Sequence, residues 1–170
     1  MVYVPDIINY KPFYIQTDVD ALAIDTTTWG LVAKSNPYPV LPTPKEVYKN
    51  EWLDEDGDDE YNAQMFYESM EFEVTFYVKA YDIPGATAEQ VVRTQITEFF
   101  NKIRSGEFKI FDSYTGIGRR KVRYAGVSEE EFKKRIVSSG DWARAIFTAK
   151  FKANDPITHM TIKNGKIVEV

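Results

Sequence analysis

From Met70 to Ala80 the chain alternates without a break between apolar and polar residues, and no helix tolerates that pattern. Met70, Phe72, Val74, Phe76, Val78 and Ala80 fall on one side; Glu71, Glu73, Thr75, Tyr77 and Lys79 fall on the other. Period two over such a length means a long strand with one buried face. The charged outer face places it in an antiparallel sheet, with water or a partner on that side. Ala143, Ala145, Phe147, Ala149, Phe151 and Ala153 repeat the pattern against Arg144, Thr148, Lys150 and Lys152, which gives a second long strand. Pro84-Gly85 and Asn154-Asp155-Pro156 supply the stops.

One helix lies between these strands. Thr87 and Gln90 have the spacing of a capping box, and the spacing predicts a helix from about Ala88 to Arg104. Val92, Ile96, Phe99, Phe100 and Ile103 form its apolar stripe, and Glu98 and Lys102 stand in the favourable i, i+4 order. At 1.5 Å per residue it is roughly 25 Å long, enough to cross one sheet but not to build a bundle. The alanines of the second long strand leave room for this Phe-rich stripe.

The stretch from Glu107 to Val127 reads as two strands, with Phe108 and Ile110 on one face of the first and Arg120, Val122 and Tyr124 on one face of the second. Residues 112–118 are expected to form a wide loop. Gly116-Ile117-Gly118 is not a phosphate loop, because neither a helix start nor Gly-Lys-Ser/Thr follows. Ser128-Glu129-Glu130-Glu131 is a second capping-box candidate, so a short helix over about Glu129 to Ile136, or an ordered loop, is expected there. At the end of the chain, Met160 to Val170 folds back on Asn164-Gly165, the strongest two-residue hairpin signal. A lone hairpin is marginal in water, so this one must dock on the domain or on a neighbour.

Residues 1–61 have a different texture. Six of the eight prolines lie between Pro5 and Pro44, and the run from Asn36 to Pro44 is extended and polyproline-like. Short strands are expected near Phe13 to Thr17 and Trp29 to Ala33, within an arm that either covers the chain's own core or embraces a neighbour. Glu51 to Glu60 holds seven carboxylates in ten positions. It fails as an EF-hand loop, because placing Gly57 at the sixth position puts Trp52 first and Ala63 twelfth. An acidic loop offered to a basic patch on another subunit is the more useful reading. The expected division is an arm and acidic loop over 1–61, a core over 62–157 and a hairpin over 158–170, one domain overall.

Composition closes several routes. With no cysteine and one histidine, His159, the chain has no disulfides, Cys-ligated metal sites, multi-His sites or His-based triads among its options. The net charge of −5 opposes general nucleic-acid binding. The start of the chain has no basic-then-apolar leader pattern and no run is apolar enough to span a bilayer, so a cytosolic product with no membrane partner is expected. An aromatic share of 15% points to sheets and interfaces. Asp112 with Glu129 or Asp141 would be the carboxylates for a hydrolase, but nothing in the sequence gathers them in one cleft. Tyr114, Tyr124 and the nearby arginines would be the platform of a single-strand nucleic-acid-binding module, a reading the overall acidity opposes. No catalytic, cofactor-binding or metal-binding residue is assigned.

Taken in order, an acidic Trp52-Leu53-Asp54-Glu55-Asp56-Gly57 segment, a Glu71-to-Phe76 strand, a helix, Phe108 to Thr115, Gly118 to Tyr124 and a last strand ending in Phe151 to Pro156 resemble a known family. It is that of tail-component proteins of long-tailed bacteriophages, the distal tail and tail-tube superfamily, especially in phages and prophages of gut bacteria. The resemblance covers about Glu51 to Pro156. It implies an α+β fold with a β-sandwich or barrel-like core flanked by one main helix, and no enzyme activity or cofactor. It also implies ring-shaped homo-oligomers, typically hexamers, around a channel that DNA passes through without specific binding. Other phage tail proteins would be the partners; the place would be the virion tail, and the host cytoplasm during assembly. A tail terminator or neck ring is the neighbouring possibility. Distal tail proteins with an extra carbohydrate-binding-like domain are longer, so host-sugar binding is not expected here. For subunit contacts the sequence offers an acidic set, Asp54, Asp56, Asp58, Asp59 and Glu60, and a basic set, Arg119, Arg120, Lys121 and Arg123.

Overall fold

The computed structural model describes residues 11–34, 38–46, 64–135 and 141–170, together with the backbone of 49–51 and 58–60. The two long strands form as their alternation requires. β6, Met70–Tyr81, and β9, Trp142–Ala153, pair antiparallel along their whole length, from Met70 opposite Ala153 to Tyr81 opposite Trp142. All six inward residues of β6 are buried. Around this pair a seven-stranded antiparallel sheet is ordered β2-β1-β7-β8-β9-β6-β3, with β1 at Phe13–Thr17, β2 at Ile24–Asp25, β3 at Val32–Ala33, β7 at Phe108–Asp112 and β8 at Ile117–Arg135. The fold is α+β, and its sheet is open rather than a closed barrel, because β2 and β3 are edges not bonded to each other.

The sheet nevertheless coils strongly. β1 and β6 are four strand steps apart, roughly 19 Å if the sheet were flat. Yet Phe13 of β1 and Phe76 of β6 meet edge to face with centroids 5.7 Å apart. A short connection spans the gap between the two edges: a 3-10 turn, Thr26–Trp29, then Gly30 and Leu31 lead directly from β2 to β3. Asp25 accepts from the Thr27 amide at 3.0 Å, and the buried Thr26 hydroxyl donates to the Leu31 carbonyl at 3.1 Å. Hence the strand expected from Trp29 begins only at Val32. Residues of the proposed arm are part of the core here, since Phe13, Ile15, Leu31 and Val32 are all buried.

Helix α1, Ala88–Ile103, fills the hollow of the coiled sheet. The Thr87–Gln90 box closes reciprocally, and Asp82 accepts from the Ala88 amide at 2.6 Å. Val92, Phe99 and Ile103 are buried, and Phe99 meets Trp29, Phe76 and Phe147. Phe100, expected in the same stripe, lies on its rim and stays exposed. Lys102 pairs with Asp20.

β8 corrects a larger expectation. The helix or loop expected around Glu129 to Ile136 is strand through Arg135, each residue from Glu129 to Arg135 having a partner on β9 from Thr148 to Trp142. A capping box contributes about 1 kcal/mol, too little to compete with seven residues of satisfied ladder. Bulges between Tyr124 and Gly126 and between Val127 and Glu129 bend the strand.

β4, Lys49–Glu51, pairs with β5, Asp58–Glu60, as a separate two-stranded ribbon. β10, Met160–Lys163, and β11, Lys166–Glu169, form the terminal hairpin, with Asn164 at φ +50° and Gly165 at φ +74° as a two-residue turn needs. It docks on the chain itself. The Ile167 amide donates to Gln16 at 2.7 Å, and the Ala23 amide donates to the Gly165 carbonyl at 2.7 Å. Gly118, without a phosphate to cradle, has another reason to be glycine: a Cβ there would collide with the Met160 carbonyl.

Two substitutions test this arrangement. Phe76→Ala is expected to cost about 4 kcal/mol in denaturant unfolding, because its ring joins both ends of the coil and the helix. Gly118→Ala is expected to cost about 2 kcal/mol and to speed amide exchange in β10, since backbone rather than a movable side chain blocks the new methyl.

Candidate assembly surface

The basic run of β8 begins with a distortion. Between the pairs Ile110 with Arg119 and Phe108 with Val122, β8 has one residue more than β7, and Lys121 takes the left-handed region at φ +52°. Strict alternation therefore fails over Arg119 to Val122, and the four cations have different fates.

Arg119 is buried at 3% exposure. Its Nη1 donates to the Gly118 carbonyl at 3.3 Å and lies 2.9 Å from His159 Nδ1. A guanidinium only donates, so Nδ1 accepts and the imidazole proton sits on Nε2. Burial pushes the Arg119 pKa down, against the opposing pull of Asp155. Arg120 donates from Nε to Asp155 at 2.5 Å and from Nη1 to Glu169 at 3.0 Å. Asp155 also accepts from the Thr158 amide at 3.0 Å, the Thr158 hydroxyl at 2.8 Å and the Ile157 amide at 3.2 Å. Burial alone would raise its pKa; the bonds from Thr158, Arg120 and Ile157 outweigh that and hold the carboxyl well below the usual carboxylate range.

Arg119 and Arg120 thus clamp the terminal hairpin to β8; Arg119 is buried, and the half-buried Arg120 is engaged by two carboxylates of its own chain. Lys121 and Arg123 are left on the surface, with Arg123 Nε 3.5 Å from Glu107. Of the acidic set, Asp54 and Asp56 lie outside the described residues. Asp58, Asp59 and Glu60 are described as backbone only, paired with Glu51, Asn50 and Lys49.

A second basic surface arises from register. On the outer face, Lys79, Arg144 and Lys133 stand side by side across β6, β9 and β8. Like charges directly opposite one another repel. The rings of Tyr81 and Trp142 lie 5.2 and 4.9 Å from Lys79 Nζ, Trp142 also lies 5.9 Å from Arg144, and Lys133 pairs with Glu131. Sequence reading missed this row, although pairing the two alternating strands in register would have placed Lys79 opposite Arg144.

The alternative chemistries find no assembled site. Asp112 is buried and caps its own loop, accepting from the Tyr114 amide at 2.9 Å and the Thr115 hydroxyl at 3.1 Å. Glu129 lies far along β8, opposite Thr148, and Asp141 lies beyond the opposite end of that pairing, next to Trp142. Tyr124 packs inward on Phe100 and Phe151, with centroids 5.4 and 6.5 Å away, while Tyr114 stands exposed in the turn after β7. Among the described residues no group of three acidic or His side chains could hold a metal, and no helix is long and apolar enough to cross a membrane.

No family model matches the chain, and no curated protein matches it. Among solved structures the fold is similar to that of the SPP1 Dit (gp 19.1) protein, described as a paradigm of the hub adsorption apparatus in phages that infect Gram-positive bacteria. The TM-score is 0.50 at 16% identity, over 88% of this chain and 52% of that one. The chain therefore spans about half the length of that protein. The likeness is one of fold: this chain is built like part of a phage hub protein.

The Asp155 clamp predicts a pH signature. Its carboxyl is held below its ordinary value of 3.8, so its contribution to stability is present at neutral pH and is lost as pH falls through the acid range. Asp155→Asn is expected to lower the unfolding free energy at pH 7 by on the order of 1 kcal/mol. The gap to the unsubstituted protein should narrow as titration proceeds below pH about 4; a gap independent of pH would contradict the clamp.

Proposed function

We propose that this chain is a non-enzymatic structural protein of a bacteriophage tail, a distal tail or tail-tube-like component that assembles as a ring of copies around the DNA channel. The observation that carries this reading is the fold shared with the SPP1 Dit protein over most of this chain. The motif order from Glu51 to Pro156 supports it independently. Its partners are further copies of itself and other tail proteins, in the virion tail and, during assembly, in the host cytoplasm. The net charge of −5 suits a channel wall from which DNA must not be held back. The scattered carboxylates favour a structural over a hydrolytic role.

Within such a ring, the carboxylates of Asp54, Asp56, Asp58, Asp59 and Glu60 meet the basic strand of the next copy. Lys121 and Arg123 carry that contact, since Arg119 and Arg120 are engaged within their own chain. Contact between two different patches is heterologous, the kind that closes into rings. Electron microscopy of the purified protein is expected to show rings, and the double reversal Lys121→Glu with Arg123→Glu is expected to shift it to monomer in sizing with light scattering. An oligomer untouched by that reversal would overturn the charge pairing, and a protein seen in virions only outside the tail would overturn the function.

A further inference from the structure

Beside the helix the molecule has an apolar groove of about 520 Å³, where Ile96 and Phe100 of α1 face Tyr124, Val127 and Phe132 of β8. Phe100, Val127 and Phe132 are all exposed. The volume is that of a pocket able to receive apolar side chains. Glu130 also lines it and adds a negative charge.

The same chain carries an apolar ridge. Val40 and Leu41 are 74% and 82% exposed, between Pro39 and Pro42 and close to Pro44. The chain bends at Leu41 rather than running extended as the prolines predict, but those prolines still restrict its backbone, so little further ordering is needed for it to bind. The ridge is also pinned at both ends. The buried Tyr38 ring packs on Phe72 with centroids 5.3 Å apart, Pro44 bridges to Tyr67, and the Lys45 amide donates to the Phe66 carbonyl at 2.8 Å.

Within the monomer the ridge does not fill this groove, because Val40 and Leu41 both stand exposed. The Phe132 end is also out of its reach: Phe132 stands opposite Ala145, which stands opposite Val78, six residues along β6 from Phe72 and roughly 20 Å away by strand rise. Leu41 is three residues from Tyr38 and three from Pro44, a reach of about 10 Å at full extension.

We infer that the Pro39–Pro42 ridge of one copy seats Val40 and Leu41 in the α1–β8 groove of the neighbouring copy. The exposed Lys45, four residues beyond Leu41, supplies the cation that complements Glu130. Ridge and groove are different surfaces, so the contact propagates head to tail. It rests on the ring reading and adds to its charge pairing an apolar contact between neighbouring copies.

The absence of native cysteine makes the test direct. In the full chain, Leu41→Cys combined with Phe132→Cys is treated with a short bis-maleimide cross-linker. The double variant is expected to yield a ladder of covalent dimers, trimers and larger species in denaturing gels, and each single variant is expected to stay monomeric. Separately, Leu41→Asp, at a position too exposed to threaten folding, is expected to weaken self-association about tenfold or more in light scattering. If the protein is oligomeric yet the double variant gives no ladder and Leu41→Asp changes nothing, the docking is overturned while the ring stands. A protein monomeric at every accessible concentration overturns the ring and the docking together.

Discussion

The contact between Phe13 and Phe76 holds the two ends of the sheet together, and most of the molecule depends on it. Strands four steps apart touch only if the sheet coils, and bulges in β8 supply the bend that lets it do so. Phe99 and Phe147 complete the cluster, each 5.0 to 5.6 Å from the Phe76 ring. Aromatic pairs of this kind add about 0.5–1.5 kcal/mol each beyond the area they bury. Without the coil, α1 would have no hollow to fill and the Thr26–Leu31 connection could not pass from one edge to the other.

Coiling also separates the charges by role. At the β7 end of β8, beside a bulge, Arg119 is buried, and it and the half-buried Arg120 fasten the terminal hairpin. At the far end β8 and β9 run on as a long ribbon, with cations on its outer face and the groove on its inner one. The proposed self-assembly would need a stable monomer with surfaces left over. The clamp serves the first need, and the ribbon, the groove and the proline-held ridge are available for the second.

Much of this was legible in the sequence. The alternation of Met70 to Ala80 predicted which face is buried, and the Thr87–Gln90 box and the Asn164-Gly165 turn formed as their spacing indicated. These features are decided by neighbours a few residues apart. Strand β1 was also anticipated, but its place between β2 and β7 was not, because strand order depends on partners nearly a hundred residues away.

The basic run shows where sequence reading stopped. By composition, Arg119, Arg120, Lys121 and Arg123 are four equivalent surface cations; one extra residue in the ladder makes two of them structural. The same limit applies to Ser128 to Glu131, where a helix-start signal of about 1 kcal/mol yielded to the ladder offered by β9. The sequence by itself determined the elements, their buried faces and the exclusion of cysteine and multi-histidine chemistry. Tertiary structure alone decided the coil, the clamp, the cation row and the groove, because each joins residues whose proximity arises only when distant strands pair in one register.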